Sequence, residues 1–142
     1  MKVLLTFLIC LLPLCSAAAD IDLIAGRYLY AQYELTTAQG KKRGMQELGV
    51  RRIELEIRAD SKIIMAVTHL DGSVTTTTAS ISEVTVSGNT GHWIAHWPTM
   101  DYSVRSDFEF DSDSLSYTIK FDLPWDTARY GWSEHATLVR QK

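Results

Sequence analysis

The fold class is decided by residues 102–110, which read YSVRSDFEF. In an extended chain Val104, Phe108 and Phe110 fall on one face, whereas Arg105 and Asp107 fall on the other. Alternation with a period of two is what a strand with one dry face and one wet face requires. The same alternation recurs in short runs across residues 51–121, each closed by a turn signal. The sequence therefore predicts an all-β domain.

About eight strands can be placed along the chain from this pattern. They cover residues 26–35, 51–58, 62–70, 73–86, 92–97, 104–110, 115–121 and 134–140. Asp71-Gly72 is a strong hairpin signal, and a shift of apolar parity predicts a bulge or break within Ser80–Glu83. Consecutive strands with tight turns predict an antiparallel up-and-down meander that closes into a small barrel. A two-sheet β-sandwich is the alternative, because alternation does not distinguish a closed sheet from two packed sheets.

The first nineteen residues have the three-part pattern of a secretory signal peptide. Lys2 precedes an apolar run that ends at Leu14, and small residues stand just before Asp20. We expect cleavage after Ala19 or Ala18, which leaves residues 20–142 as a single barrel domain. The apolar run is too short to span a bilayer, so no membrane span is predicted. A lipid anchor on Cys15 is the alternative, although Leu14 stands where that signal needs a small residue.

Cysteine and asparagine usage point to a compartment. Cys10 and Cys15 both lie in the signal segment, so the mature chain is expected to form no disulfide. The chain has one asparagine, Asn89, and it is not part of a glycosylation sequon. Together with the signal pattern, these features predict a secreted or periplasmic protein of bacterial origin. The formal net charge of −3 argues against nucleic acid as a partner.

Three residues give the chain a resemblance to a known group. Gly26-Arg27-Tyr28 begins the first strand, and Arg140 ends the last one. With an eight-strand meander between them, the chain resembles the lipocalin-like (calycin) group, in which a Gly-x-Trp and a C-terminal Arg pack together at the lower end of the barrel. Tyr28 stands where that group prefers Trp. The resemblance implies a barrel with an interior pocket for a small, largely apolar ligand.

The segment at residues 91–98, GHWIAHWP, has the most unusual composition in the chain. In a strand Trp93 and Trp97 share one face with Ala95, whereas His92 and His96 share the other. Two large aromatic side chains on an inward face either line a ligand pocket or fill the barrel interior. We select Trp93, Trp97 and His96 from this segment as candidate ligand-binding residues.

A second aromatic cluster lies at residues 124–132, PWDTARYGW. Binding residues concentrate on loops that a rigid scaffold positions, so Trp125, Tyr130 and Trp132 are the remaining candidates for ligand contact. The alternative is a loop that folds over the barrel mouth and buries its tryptophans as a plug.

Motifs for catalysis and for metal binding are missing from the sequence. It contains no Gly-x-Ser-x-Gly elbow, no phosphate-binding glycine loop and no cysteine nucleophile after the signal segment. His92 and His96 lie about 13 Å apart in a strand, too far to share one ion. They reach a metal only if they converge with His69 or His135 across neighbouring strands. We therefore expect no catalytic residues, no resident metal and no cofactor.

Two functions from different classes remain open at this point. The first is an exported lipocalin-like binding protein for a small hydrophobic or aromatic molecule. The second is a protein-interaction module, such as an inhibitor of an exported hydrolase, in which the barrel is solid and a loop docks on an exported partner protein. The sequence leaves open whether the barrel is hollow and whether the chain forms oligomers.

Overall fold

The computed structural model describes residues 17–99, 103–120 and 132–142. Trp125, Tyr130 and the predicted signal segment up to Ser16 lie outside the described residues. The described part contains one α-helix, one 3-10 helix and nine strands. Their bounds are α1 Ala17–Ile24, β1 Gly26–Thr36, β2 Lys42–Arg43, the 3-10 helix Gln46–Leu48, β3 Val50–Arg58, β4 Lys62–His69, β5 Val74–Ser87, β6 Thr90–His96, β7 Ser103–Phe110, β8 Ser114–Lys120 and β9 Ser133–Arg140.

The strands form an antiparallel meander that closes on itself. From β3 to β9 each strand pairs with the next one in the chain, and β1 pairs with both β3 and β9. The β1–β9 ladder runs from Tyr28 opposite Arg140 to Thr36 opposite Ser133. Eight strands therefore make a closed barrel, and the short β2 is added to the free part of β1. The predicted eight-strand barrel is confirmed, and the two-sheet alternative is wrong because the β1–β9 pairing leaves one continuous sheet.

Two local predictions about the sheet are also confirmed. Gly72 has φ of +88° in the β4–β5 hairpin, and Asp71 Oδ1 accepts a hydrogen bond of 2.9 Å from the Ser73 amide. The register between β5 and β6 shifts between Ile81 and Glu83, within the segment where the parity change indicated a bulge. This bulge allows β5 to continue as one strand of 14 residues.

Alternate residues of the eight barrel strands point into the barrel interior. Ile53, Leu55 and Ile57 on β3 are all buried, and their neighbours point outward. On β6, Gly91 is opposite Phe108, and a Cβ at Gly91 would lie 2.1 Å from the Thr85 carbonyl oxygen. Only glycine fits here, because the Phe108 ring covers this part of β6.

One end of the barrel, which we call the lower end, is closed by α1. Ile21 and Ile24, three residues apart on one helical face, are both buried. The helix packs against β5 and β3, and the Val86 amide donates a hydrogen bond of 3.3 Å to Asp20 Oδ2. These contacts join the segment after the predicted cleavage position to the barrel.

The residues that carry the family resemblance pack together at this lower end. The Arg140 guanidinium lies 5.1 Å from the centre of the Tyr28 ring, and its Nη1 donates a hydrogen bond of 3.1 Å to the Ala25 carbonyl. Gly26 has φ of +155°, and a Cβ there would lie 3.3 Å from Arg140 Nη1. Tyr28 also donates a hydrogen bond of 2.6 Å to the Ile24 carbonyl. A tyrosine therefore takes part in this closure at the position where the lipocalin-like group prefers tryptophan.

The segment between β1 and β3 contains structure that the sequence did not predict. β3 pairs with β1 only through Gly26–Leu29, and above this point β1 pairs with β2. The 3-10 helix contacts β3, and its Leu48 and the preceding residue Met45 pack against the core. Gly49 ends this helix with φ of +73°. The weak periodicity of residues 38–49 gave no signal for either element.

Candidate functional site

A cavity lies inside the barrel toward the end opposite α1, which we call the upper end. It has a volume of about 130 Å³ and is lined mainly by apolar and aromatic side chains. Three tryptophans contribute to its wall, namely Trp93, Trp97 and Trp132. A second cavity of about 180 Å³ lies beside it and shares Tyr30, Met65 and Glu134 with it. Within the described residues, the upper half of the barrel interior therefore contains unfilled space, and concave, mostly apolar sites of this kind suit small molecules.

The aromatic wall of the cavity is held by contacts between rings. Trp93 stacks on Phe108 with ring centres 5.0 Å apart, and the edge of Tyr117 meets Trp93 at 5.8 Å. Trp93 is almost fully buried, with 3% of its surface exposed. Such contacts fix the ring positions before a ligand arrives, so little side-chain freedom is lost on binding.

A polar network of three tyrosines and one glutamate lies between the two cavities. Tyr117 Oη donates a hydrogen bond of 2.5 Å to Glu134 Oε1, and the hydroxyls of Tyr30 and Tyr117 are 2.7 Å apart. Tyr33 also hydrogen-bonds the Glu134 carboxyl group. We call Tyr30, Tyr33, Tyr117 and Glu134 the polar cluster.

Strand register explains how these four side chains meet. The register shift in β1 between Tyr30 and Gln32 turns Tyr33 inward along with Tyr30. Tyr33 and Tyr117 both pair with Ala136, which is completely buried and too small to separate them from Glu134, two residues earlier on β9. The cluster therefore depends on a bulge and on one small residue in the neighbouring strand.

Burial changes the proton affinity of every member of the polar cluster. It raises the pKa of Glu134 above its ordinary value, although hydrogen bonds from Tyr117 and Tyr33 oppose the rise. Burial is also the main cause that raises the pKa of Tyr30, Tyr33 and Tyr117, and the nearby Glu134 carboxylate adds to it. The phenols therefore remain neutral at physiological pH, and they act as hydrogen-bond donors toward the carboxyl group.

The structure brings three of the six candidate ligand residues to the cavity. Trp93, Trp97 and Trp132 line it, with Trp97 and Trp132 partly buried. His96 does not reach it, because it is exposed on the opposite face of β6 from Trp93. Its selection as a ligand-binding residue therefore stays an untested prediction. Trp125 and Tyr130 lie outside the described residues.

Three of the histidines have separate polar partners. His92 Nε2 lies 2.9 Å from Glu83 Oε1, and His69 Nε2 lies 2.9 Å from the Thr75 hydroxyl. His135 Nδ1 lies 3.0 Å from the Thr118 hydroxyl. Within residues 17–99, 103–120 and 132–142, no three His, Cys, Asp or Glu side chains are grouped closely enough to hold a metal ion. Convergence of the histidines across strands is not found in this part of the chain.

Sequence reasoning missed the polar cluster. Glu134 has the same inward parity as Ala136 and Leu138 on the last strand. An acidic residue on this otherwise apolar face was therefore the one sequence signal for the polar cluster. Tyr30 and Tyr33 differ in parity, and without the bulge they are predicted to point to opposite faces. The sequence also gives no indication that β1 and β8 bring their tyrosines to the same carboxyl group.

The fold and the cavity define an eight-stranded antiparallel barrel with an aromatic interior. No protein-family model and no curated protein matches the chain. Among solved structures, EF1p2_mFAP2b bound to DFHBI is similar, with 18% identity and a TM-score of 0.50 over 89% of this chain and 100% of that chain. A redesigned beta barrel shares 16% identity and has a TM-score of 0.46 over 87% of this chain and 96% of that chain. The first of these likenesses supports the barrel fold.

The helices were also compared with the requirements of a membrane span. In the part of the chain that the structure describes, no helix is both long enough and apolar enough to cross a membrane.

Proposed function

We propose that this chain is an exported, lipocalin-like binding protein for a small aromatic molecule of about one ring. The observation that carries the proposal is the cavity of about 130 Å³ with three tryptophans in its wall. An apolar cavity of about 150 Å³ engineered into another protein binds benzene, so this volume suits one aromatic ring. The adjoining cavity of about 180 Å³ gives room for a substituent.

The chemistry of the lining supports an aromatic ligand over a flexible lipid chain. Ring faces and edges from Trp93, Trp97 and Tyr117 offer stacked and edge-to-face contacts, which are most favourable with another ring. Ser106 and Thr77 add small polar groups to a mainly apolar wall. Small-molecule sites typically combine an apolar wall with a few polar groups in this way. The similar barrel described as bound to DFHBI is an example of this fold with a ligand.

Export is proposed from the signal pattern of residues 1–19 together with the contacts of Asp20. Asp20 accepts a hydrogen bond from Val86, and Ile21 and Ile24 close the lower end. A chain that begins at Asp20 therefore keeps the residues that complete the barrel.

The alternative of a docking module receives less support. Trp132, one of the residues selected for docking on a partner, is partly buried and lines the cavity. An anchor residue for a protein partner needs to be accessible on the surface. The barrel also contains interior cavities, which a docking function does not need.

Two neighbouring threonines provide a matched test of the ligand site. Thr77 lines the cavity, whereas Thr78 is exposed on the outer face of the same strand. Thr77→Phe places a ring inside the cavity, and Thr78→Phe makes the same change outside it. Both variants and the parent chain are expressed at full length, and the mass of the purified product is measured. Binding of toluene, phenol and benzyl alcohol is then followed by tryptophan fluorescence and calorimetry.

We expect saturable binding of at least one ring compound by the parent chain and by Thr78→Phe, and loss of binding in Thr77→Phe. We also expect the exported product to begin at Asp20 or Ala19. Equal binding by Thr77→Phe, or no binding of any ring compound by the parent chain, would contradict the ligand site. A product that retains residues 1–19 in the cytoplasm would contradict export.

A further inference from the structure

Among the described residues, Glu134 is the one charged side chain in the wall of either cavity. The other described residues that line the two cavities are apolar, aromatic, hydroxyl-bearing or thioether side chains. Glu134 is partly buried, and its hydrogen bonds come from the phenols of Tyr117 and Tyr33. An acidic group in this position costs free energy unless something compensates its charge.

No cation of the described chain provides that compensation. The ion pairs of residues 17–99, 103–120 and 132–142 involve other acidic residues, all on the outer surface. Phenols donate hydrogen bonds to Glu134 but carry no positive charge. Among the described residues the carboxylate therefore has hydrogen-bond donors but no counter-ion, and it lies beside a cavity that has room for a ligand.

We propose that the ligand is an organic cation, a protonated amine carried on a single aromatic ring, whose ammonium group pairs with Glu134. The proposal rests on the proposed function and specifies the ligand class for the same site. In this arrangement the ring occupies the tryptophan-lined cavity, and the nitrogen lies at the polar cluster.

Hydrogen-bonding capacity at Glu134 agrees with an ammonium group. A carboxylate has about four acceptor sites, and Tyr117 and Tyr33 occupy two of them. An ammonium group has three donors and no acceptor, so two of its donors can use the two remaining acceptor sites, and no donor of the protein loses its partner. A carboxylate ligand would instead be repelled by Glu134.

The aromatic wall also favours a positive charge. Cations are attracted to the faces of Trp and Tyr rings, most strongly where water is excluded. Trp93, Trp132 and Tyr117 line the same cavity as Glu134. The Glu134 carboxylate and the faces of these rings therefore all attract the positive charge of the ligand.

Ligand charge is tested with three probes of nearly equal size, namely benzylamine, benzyl alcohol and benzoate. Binding is measured by calorimetry on the parent chain, on Glu134→Gln and on Glu109→Gln. Glu109→Gln is the matched control, because it removes the same charge from an exposed position on β7. Charge-assisted hydrogen bonds are about twice as strong as neutral ones, so we expect benzylamine to bind at least about tenfold more tightly than benzyl alcohol.

Glu134→Gln should weaken benzylamine binding by about tenfold and change benzyl alcohol binding by less than about threefold. Glu109→Gln should change neither. Benzoate should bind more weakly than both other probes.

Proton linkage provides a second readout that needs no variant. Burial raises the pKa of Glu134, and the titratable groups that face it are Tyr30 and Tyr33 from β1 and Tyr117 from β8. A cation favours the ionised carboxylate, so benzylamine binding should release a proton at low pH and strengthen as the pH rises to about 8. Benzyl alcohol binding should show no such release.

The possible outcomes separate this inference from the proposed function. If benzyl alcohol binds as tightly as benzylamine and no proton is released, the cationic ligand is excluded while the aromatic site stands. If none of the three probes binds, the proposed function fails as well. If Glu134→Gln does not fold, the proton release of the parent chain decides the question.

Discussion

At each end of the barrel a charged residue of β9 lies against aromatic rings, but the two charged groups have different kinds of partner. At the lower end Arg140 lies over the Tyr28 ring and donates hydrogen bonds to the carbonyls of Ala25 and Leu23. At the upper end Glu134 receives hydrogen bonds from Tyr117 and Tyr33, which are neutral. The chain therefore gives Nη1 and Nη2 of its inward cation main-chain acceptors, whereas Arg140 Nε has no hydrogen-bond partner and the inward anion has no counter-ion among the described residues.

Under the proposed function, this difference separates a structural end from a ligand-binding end. Main-chain carbonyls at the end of α1 are acceptors that need a donor, so Arg140 completes the fold. A hydrogen-bonded carboxyl group beside a cavity gains its best partner only when a ligand arrives. Sites of this kind commonly depart from the packing rules that the rest of a protein follows.

The largest expected contrast is between a residue that seals the lower end and one that lines the upper cavity. Ile24 is completely buried, so Ile24→Ala should lower the free energy of unfolding by about 3 kcal/mol. Trp97 is only partly buried, so Trp97→Ala should cost about 1 kcal/mol while weakening ring-compound binding. Urea unfolding and calorimetry measure the two effects. Similar losses of stability in both variants would contradict the distinction between a structural lower end and a ligand-binding upper end.

The charge at the lower end is expected to matter less than the buried apolar seal. Arg140→Met keeps much of the side-chain volume but removes the hydrogen bonds to Ala25 and Leu23 and the contact with the Tyr28 ring. We expect a loss of about 2 kcal/mol in the free energy of unfolding, with ligand affinity unchanged. Arg140→Lys is the control that keeps the charge without the planar fork, and it should recover part of the loss. A larger effect on ligand affinity than on stability would place Arg140 in the binding site.

Much of the fold could be predicted from the sequence, because it depends on local patterns. Alternation located the eight long strands, and Asp71-Gly72 and the parity shift near Ile81 located a hairpin and a bulge. Closure of the barrel was predicted because a closed sheet has no exposed edge strands, and the β1–β9 ladder confirms it. The two-residue β2 and the 3-10 helix Gln46–Leu48 were missed, since elements of two or three residues have too few positions to show a period.

The candidate site could be predicted only in part. Trp93 and Trp97 were identified because they share the inward parity of one strand. His96 was selected as a ligand-binding residue although its parity is opposite to that of Trp93, and it does not reach the cavity. The polar cluster was missed since it depends on a bulge in β1 and on the small Ala136, which together bring side chains from three strands to one carboxyl group. Such meetings depend on register between distant segments, which a single sequence does not specify.

The smallest effect expected on stability comes from the charge at the upper end, and its sign depends on pH. Burial raises the pKa of Glu134 in the folded chain above the ordinary value of 4.5. The folded state therefore holds this proton more tightly than the unfolded state, and the resulting stability is present below pH 4.5 and lost as the pH rises through the raised pKa. A neutral amide mimics the protonated acid at every pH, so Glu134→Gln should match the parent chain at low pH and become the more stable protein as the pH rises. Thermal unfolding of both proteins across this range measures the difference, with Glu109→Gln as the control that should show no such trend.

Benzylamine sharpens this last prediction, because it supplies the counter-ion that Glu134 lacks among the described residues. In its presence the parent chain should regain stability at neutral pH, and Glu134→Gln should gain much less, since ligand binding stabilises only the state that binds. Arg140 should make no difference to this recovery, because its guanidinium lies at the lower end, where it donates hydrogen bonds to the carbonyls of Ala25 and Leu23. If Glu134→Gln were instead less stable than the parent chain at neutral pH without ligand, the carboxylate would have a compensating partner within the chain. The upper end would then resemble the lower end, as a structural charge and not a binding one.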